Sequence, residues 1–587
     1  MRCHFIGLCV VILLIVSCNN QSQQPFVAAG KNDSSFNNFQ TRFLDAYWKQ
    51  NPTAAIYAGY GKYYERLVIP DSTAFAVTVN FCKAWLDSLH GFNYNNLSDD
   101  NKINYAIVQN QLQSTIWYTG TFKIQQWDPS AYNLGGDCYN ILTQNYAPLA
   151  ERLKILSSHL QHADDYYAAA LHTLNKPTKE YTALAIQQNQ GSLNVLGDAL
   201  TDSIKASALN QAEKDTLQQH ISLTKQAIKN YVSALQKIVA DKNYAFRDFR
   251  IGKDLFRQKF KYDLVTDYAP EEIFAKAITA KTYYHKEMYN IAATLWLKYC
   301  IGLPKPADSL LLIKTVIDKI ALQHAKAKNV VATATGLVKQ LQLFIISKKL
   351  FDYDTTYPLK VRIMPAFMGG VSLANAEFTP AYLKSGTTYY NVADISTMPA
   401  ANAESVLREY NNYSLQFLSI HEAMPGHCMQ GVYSNKQSSG SLIKSVFQNG
   451  AMIEGWAVYC EQMMMENGWG NNAPELWLTL YKWRLRELSN VLIDYGLQCL
   501  QYSENDIMQL LKNETFQEDA QIKEKYHRAT VSQVQLCSYF TGATDILALR
   551  EAYKNKQANN YQLKDFHEQF LSYGSSPVKY IREMMLK

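Results

Sequence analysis

The chain has 587 residues, 47% of them apolar and 18% charged. That balance excludes a disordered chain and provides for a sizeable core. A net charge of +6 over this length gives no case for a nucleic-acid partner, and 40 tyrosines suit sugar- or peptide-binding surfaces without selecting one.

Residues 1–18 read MRCHFIGLCVVILLIVSC. A basic start is followed by an apolar run too short to span a bilayer, the pattern of an export signal. Ile15-Val16-Ser17-Cys18 resembles a bacterial lipobox. The expectation is a signal peptide over 1–17, a lipid on Cys18, and membrane attachment through that anchor. Asn19 is uncharged, which suits sorting to the outer membrane. Residues 18–36 are polar with little periodicity and read as a flexible tether. No later stretch reaches 18 consecutive apolar residues, so the body is expected to be soluble. Seven cysteines follow Cys18 with no CxxC pair. No disulfide framework is visible, and these cysteines read as small core residues.

Residues 37–350 carry helical periodicity. Leu153, Leu156, Leu160 and Ala163 form one stripe; Ile221, Leu223, Ala227, Tyr231 and Leu235 form another. The text changes at Tyr357-Pro358. Residues 359–368 (LKVRIMPAFM) and 386–393 (GTTYYNVA) read as short strands, with Gly369-Gly370 after the first. Helical pattern then returns to the end. The predicted fold is mainly α, with a helical part over 37–350, a small β element, and a metal-binding part over 351–587 that has scope to share its core.

The chemistry lies in Ser419-Ile420-His421-Glu422-Ala423-Met424-Pro425-Gly426-His427. Leu407, Tyr410, Ser414, Phe417 and His421 fall at helical spacing and place His421 beside a buried stripe. In an ordinary H-E-x-x-H helix the two histidines lie four apart, on one face, and bind one metal. Six residues instead advance about 600°, which leaves His421 and His427 about 120° apart on a straight helix. Pro425 removes an N–H and clashes with the preceding turn, while Gly426 permits unusual backbone angles. The helix should therefore break there and return His427 beside His421. Ile453, Trp456, Ala457 and Cys460 predict a second helix, on which Glu454 borders the apolar stripe. An unpaired carboxylate there is costly, and a metal held by His421, His427 and Glu454 removes the cost. Glu461 lies two turns on, about 10.5 Å along the axis, and suits a hydrogen bond to a ligand rather than the ion itself.

HEAMPGHCMQ followed by EGWAVYCE resembles the bacterial family of domain of unknown function 885, which groups with zinc peptidases of the HExxH type. RELSNVLIDYG (486–496), QLCSYFTG (535–542) and the closing Phe566-His567, Gly574 and Pro577 resemble further segments of that family. The resemblance implies a large helical zinc-peptidase-like architecture and a peptidase-like role. Gln498 stands where the family pattern leads one to expect a histidine, which puts specificity or activity in doubt.

On this reading one Zn²⁺ sits on His421, His427 and Glu454 and leaves a position for water. Glu422 is the general base. Tyr539 is the expected donor to the oxyanion. Arg550 or Arg486 could bind a substrate carboxylate, though a surface ion pair is the plainer role for each. The strand at 386–393 could align an extended peptide, by analogy with other zinc peptidases, with Tyr389, Tyr390 and Asn391 lining the cleft. His527 and His567 fit structural roles better than substrate contacts. Two readings compete with a peptidase of short peptides in the envelope. One is a non-catalytic, tyrosine-rich lipoprotein that binds glycans or peptides; the other is a degenerate peptidase with a structural metal. Oligomeric state is not legible.

Overall fold

The computed structural model describes residues 31–352, 359–364, 373–378, 380–382, 387–437 and 442–587, side chains at 31–32, 435–437 and 520 excepted. The expected signal peptide, Cys18, Asn19, Gly369-Gly370 and most of the second half of the 359–368 strand lie outside these residues.

The fold is mainly α. Its first described helix, Lys31–Gln50, replaces only the last part, 31–36, of the tether expected over 18–36; residues 18–30 lie outside the described residues. Phe36, Phe39 and Phe43 recur every three to four residues and are buried, so one helical face joins the core where a linker was expected. The stripe at 221–235 also needs one correction. Ile221, Ala227, Tyr231 and Leu235 are buried on helix Gln211–Ala240, but Leu223 faces solvent and Thr224 is buried in its place.

Three apolar clusters form the core. Phe36, Trp48, Leu156 and Tyr231 belong to one, together with Ile443 and Met584 from the far end of the chain. A second joins Phe256, Ile273 and Ile313 to Leu485, Leu511 and Leu536. A third joins Val330, Val338 and Ile345 to Ile420, Trp456 and Phe570. Each therefore draws on both sides of residue 350. The helix Ala327–Ser347 is long and apolar enough to cross a membrane by length and composition. Its buried side, from Ala334 through Val338, Leu341 and Ile345, packs on the third cluster. All seven cysteines of the described chain are unpaired, and all but Cys499 are buried.

The β element has three strands: β1 (Leu359–Ile363), β2 (Ala374–Glu377) and β3 (Thr388–Val392). Their order is β1-β3-β2, with β3 parallel to β1 and antiparallel to β2. β2 went unseen in the sequence because four residues, Ala-Asn-Ala-Glu, carry almost no strand propensity. Tyr390, in the middle of β3, is fully buried and its hydroxyl lies 3.4 Å from Ser419 Oγ, which seats the sheet against the first histidine helix.

Candidate metal centre

The stripe expected to run from Leu407 into His421 is two helices, Ala400–Glu409 and Ser414–Glu422. Asn411 breaks it: its side chain accepts from the N–H groups of Tyr413 and Ser414, the local bond by which Asn competes with helix. A second break follows His421 and Glu422. Met424 N–H turns back to Ser419 O at 3.1 Å and Gly426 N–H to Ile420 O at 3.0 Å; the next helix starts at His427. A Cβ on Gly426 would stand 1.9 Å from His421 O and 2.5 Å from Ile420 O, so only glycine permits this approach. The turn is also held from outside: Trp456 Nε1 donates to Pro425 O at 3.0 Å.

The break removes the angular problem of the six-residue spacing. The imidazoles of His421 and His427 lie 4.7 Å apart between ring centres, at 87° to each other. Glu454, on helix Gly450–Glu466, points Oε2 at both: 3.7 Å from His421 Nε2 and 3.5 Å from His427 Nε2. One ligand atom from each of the three residues lies within 4.8 Å of the others. Ligands at about 2.0–2.2 Å around a tetrahedral ion stand about 3.3–3.6 Å apart, so the two Glu454 spacings are close to the edges of such a site. Both histidines are buried, while the Glu454 side chain is 22% exposed, so the cluster opens on that side.

The donor set fits zinc on a further count. His421 Nδ1 lies 2.8 Å from Glu461 Oε1, and Glu461 is fully buried. That bond turns His421 Nε2 toward the cluster, the usual arrangement around a ligating imidazole. Behind it, Arg484 Nη1 lies 3.7 Å from Glu461 Oε2 and donates to Glu487 at 2.7 Å. Burial and then the Glu461 charge push the Glu487 carboxyl up to about 8, against the pull of Arg484. Burial pushes the Glu454 carboxyl up, but its two histidine neighbours outweigh burial and hold it well below the usual carboxylate range. His421 is the mirror case: burial disfavours its cation, and Glu454 and Glu461 together raise it well above the usual range. His427 Nδ1 is buried and meets no protein acceptor.

Glu422 sits between the ligand helix and the sheet. Burial raises its carboxyl above the usual range, opposed by His427, His421 and the Ala376 N–H, which donates to it. Ala393 N–H bonds to Leu373 O, so in the antiparallel register Ala376 turns its own N–H away from β3 and toward Glu422.

Tyr539 lies beside the cluster. Burial, then the Glu454 charge, push its phenol up to about 12, and Arg528 opposes them. The reason for this placement is a crossing of two helices without side chains at the contact. A Cβ on Gly542, one turn beyond Tyr539, would stand 1.8 Å from Ala451 O and 3.0 Å from Gly455 Cα. A Cβ on Gly455, next to Glu454, would stand 2.3 Å from Gly542 C.

Other expectations divide. β3 is the central strand, so it has no edge to offer a peptide; backbone pairing would fall to β1 or β2. Tyr390 is core, Tyr389 stacks under Arg362 at 3.7 Å, and Asn391 is buried with Arg362 Nε donating to it at 2.7 Å. Tyr390 and Asn391 are thus buried, and Tyr389 is half-buried under Arg362. Arg550 is committed to Glu466 at 2.7 Å, and Arg486 lies over Trp483 and donates to Tyr410. His567 is fully buried between Tyr459 and Leu350 O, and burial holds its imidazole down at about 3; His527 is exposed. Gln498 is also fully buried, accepting from Ile251 N–H at 3.0 Å. Its side chain is bound to backbone at both ends, with Nε2 donating to Ala529 O at 3.4 Å. The sequence missed Arg528, whose Nη2 donates to Tyr539 at 3.2 Å. An isolated arginine on a polar helix carries no signal before the fold sets it beside Tyr539.

A family model described as bacterial protein of unknown function (DUF885) matches residues 52–585. Among solved structures, a candidate lipoprotein of unknown function from Shewanella oneidensis is 40% identical, covering 94% of this chain and 100% of that one, at a TM-score of 0.87. A candidate lipoprotein from Colwellia psychrerythraea shares the fold at 15% identity and a TM-score of 0.77, over 94% of this chain and 98% of that one. No curated protein matches.

Proposed function

The chain belongs to the DUF885 family, and we propose that it is a lipid-anchored, zinc-dependent metallopeptidase acting on short peptides in the bacterial envelope. One observation carries the reading: His421, His427 and Glu454 converge from three helices, with Glu422 beside them and aimed by a backbone N–H. Zinc held there would polarise a peptide carbonyl and make water a nucleophile near neutral pH.

The side chains supply the rest. Glu422, adjacent in sequence to His421, takes the proton of the attacking water and delivers it to the leaving amine. Its raised carboxyl favours that return. The Tyr539 phenol, pushed up to about 12, stays protonated at neutral pH and can donate to the developing oxyanion. Glu461 keeps His421 in the tautomer and orientation a metal requires. The lipobox-like residues up to Cys18, and two similar structures described as candidate lipoproteins, support anchoring to the envelope; Asn19 supports the outer membrane.

The test is metal content of the chain from Lys31 onward by plasma mass spectrometry, with a peptide-library assay beside it. About one zinc per chain, lost in His427→Ala, is expected. Glu422→Gln should keep the zinc and lose hydrolysis. A metal-loaded parent that cleaves nothing would leave a structural metal, and no zinc at neutral pH would leave a binding protein.

A further inference from the structure

Next to the cluster lies a group of cations, Arg486, Lys525 and Arg528, that feel the charge of Glu524 but make no direct ion pair among the described residues. Arg528 donates only to neutral oxygens, Gln535 Oε1 at 2.8 Å and Tyr539 Oη at 3.2 Å, both through Nη2. Arg486 donates to Tyr410 Oη and Gln521 Oε1, each at 3.2 Å. Lys525 is buried and donates to Arg486 O at 2.9 Å and Ser489 Oγ at 3.1 Å. Among the described residues none of these three has a carboxylate oxygen within 4.0 Å. The buried carboxylate nearby, Glu409, is taken by Lys482 at 2.8 Å.

A half-buried guanidinium normally acquires an acid or a bidentate acceptor, because its planar fork matches one. Among the described residues Arg528 has neither, and its bonds to Gln535 and Tyr539 both leave from Nη2. Burial, then Arg486 and Arg528, hold the Lys525 amine well below its usual range against the opposing pull of Glu524 and Glu409. Arg528 feels Glu524 and then Glu454, and its bond to Tyr539 ties it to the helix that crosses the Glu454 helix at Gly455 and Gly542. Arg550, the other arginine near this helix face, is closed off by Glu466.

We propose that Arg528 receives the free C-terminal carboxylate of the substrate, so that the protein is an exopeptidase trimming peptides from their C-terminal end. The assignment of a carboxylate ligand rests on the cations; the direction of cleavage rests on the peptidase reading above. Tyr539 then stands between the two ends of the reaction, its hydroxyl shared by the anchor and the carbonyl to be attacked.

Two measurements separate these layers. Isothermal titration of the zinc-free protein with acetyl-dialanine and with its C-terminal amide reads the anchor without chemistry. The free acid should bind about 10- to 100-fold more tightly, the worth of a hydrogen-bonded charge pair. The preference should vanish in Arg528→Gln and survive in part in Arg528→Lys, which also serves if the glutamine variant does not fold. Equal binding of acid and amide by the parent, or a preference that persists in Arg528→Gln, overturns the assignment. With zinc loaded, mass spectrometry of peptide digests should show loss of C-terminal pieces and little cleavage of amidated peptides. Internal cleavage that ignores amidation overturns the exopeptidase proposal and leaves the peptidase intact. Binding preference without any cleavage overturns the peptidase reading and leaves the carboxylate site.

Discussion

Replacing Gly426 by alanine tests the helix break on which the centre depends. The added Cβ would meet His421 O at 1.9 Å, Ile420 O at 2.5 Å and His421 C at 2.6 Å. All three are backbone atoms inside a hydrogen-bonded turn, so no side chain can rotate away. The two chain segments must separate by about 1.5 Å to restore ordinary contact, and overpacking of this kind costs about 1–3 kcal/mol or more. The same displacement moves His427 relative to His421, whereas metal–ligand distances tolerate only about 0.2 Å. Zinc affinity should therefore fall by at least the 10- to 100-fold that follows loss of a ligand's support. Competition with a chromophoric chelator measures the affinity, and thermal unfolding of the metal-free protein measures the packing cost. Gly450→Ala is the control, because a Cβ there meets nothing within 4 Å and the position opens the Glu454 helix; it should bind zinc as the parent does. A Gly426→Ala protein with parental affinity and parental melting would refute the argument that this turn holds the two histidines together.

Glu461→Gln keeps a hydrogen-bond acceptor near His421 Nδ1 but removes the charge behind it. Zinc affinity should drop about 10- to 100-fold; chelator competition reads it, and an unchanged constant would mean Glu461 serves only Arg484. Gly542→Ala drives a Cβ to 1.8 Å from Ala451 O and should push the helices of Tyr539 and Glu454 apart. A loss of about 1–3 kcal/mol in denaturant unfolding is expected, with weakened zinc binding; a variant of parental stability would show that this crossing has room to relax.

The chain-level fold and the convergence of His421, His427 and Glu454 were legible for different reasons. Helical periodicity is a local signal, and it placed most of the body. The cluster was legible because proline and glycine inside H-E-x-x-x-x-H announce a break, and Glu454 on an apolar stripe announces an unmet charge. The strand β2 and the partition of the core were not legible. Four residues of weak propensity become a strand only because β3 offers an edge, and cores that cross residue 350 depend on contacts hundreds of residues apart. The helical end of the tether, 31–36, was not legible for a third reason. Phe36 is a single apolar residue at its end, and its helical phase shows only when Phe39 and Phe43 are counted with it.

The arrangement around Arg528 follows from the same division between local and distant information. Arg486 and Arg550 were the arginines singled out from the sequence, and each has a distant neighbour that periodicity cannot reveal: Tyr410 for one, Glu466 for the other. Arg528 stands seven residues before Gln535 and eleven before Tyr539, and folding back of the 531–537 turn brings all three together. Its Nη2 bond to Tyr539 draws the anchor toward a residue whose position is set by the Gly455–Gly542 crossing, which also sets Glu454. The Glu454 carboxylate, the Tyr539 phenol and, through its bond to that phenol, the Arg528 guanidinium are thus tied to one helix contact. A perturbation of that contact should move zinc affinity and carboxylate preference together, whereas Glu461→Gln should move zinc affinity alone.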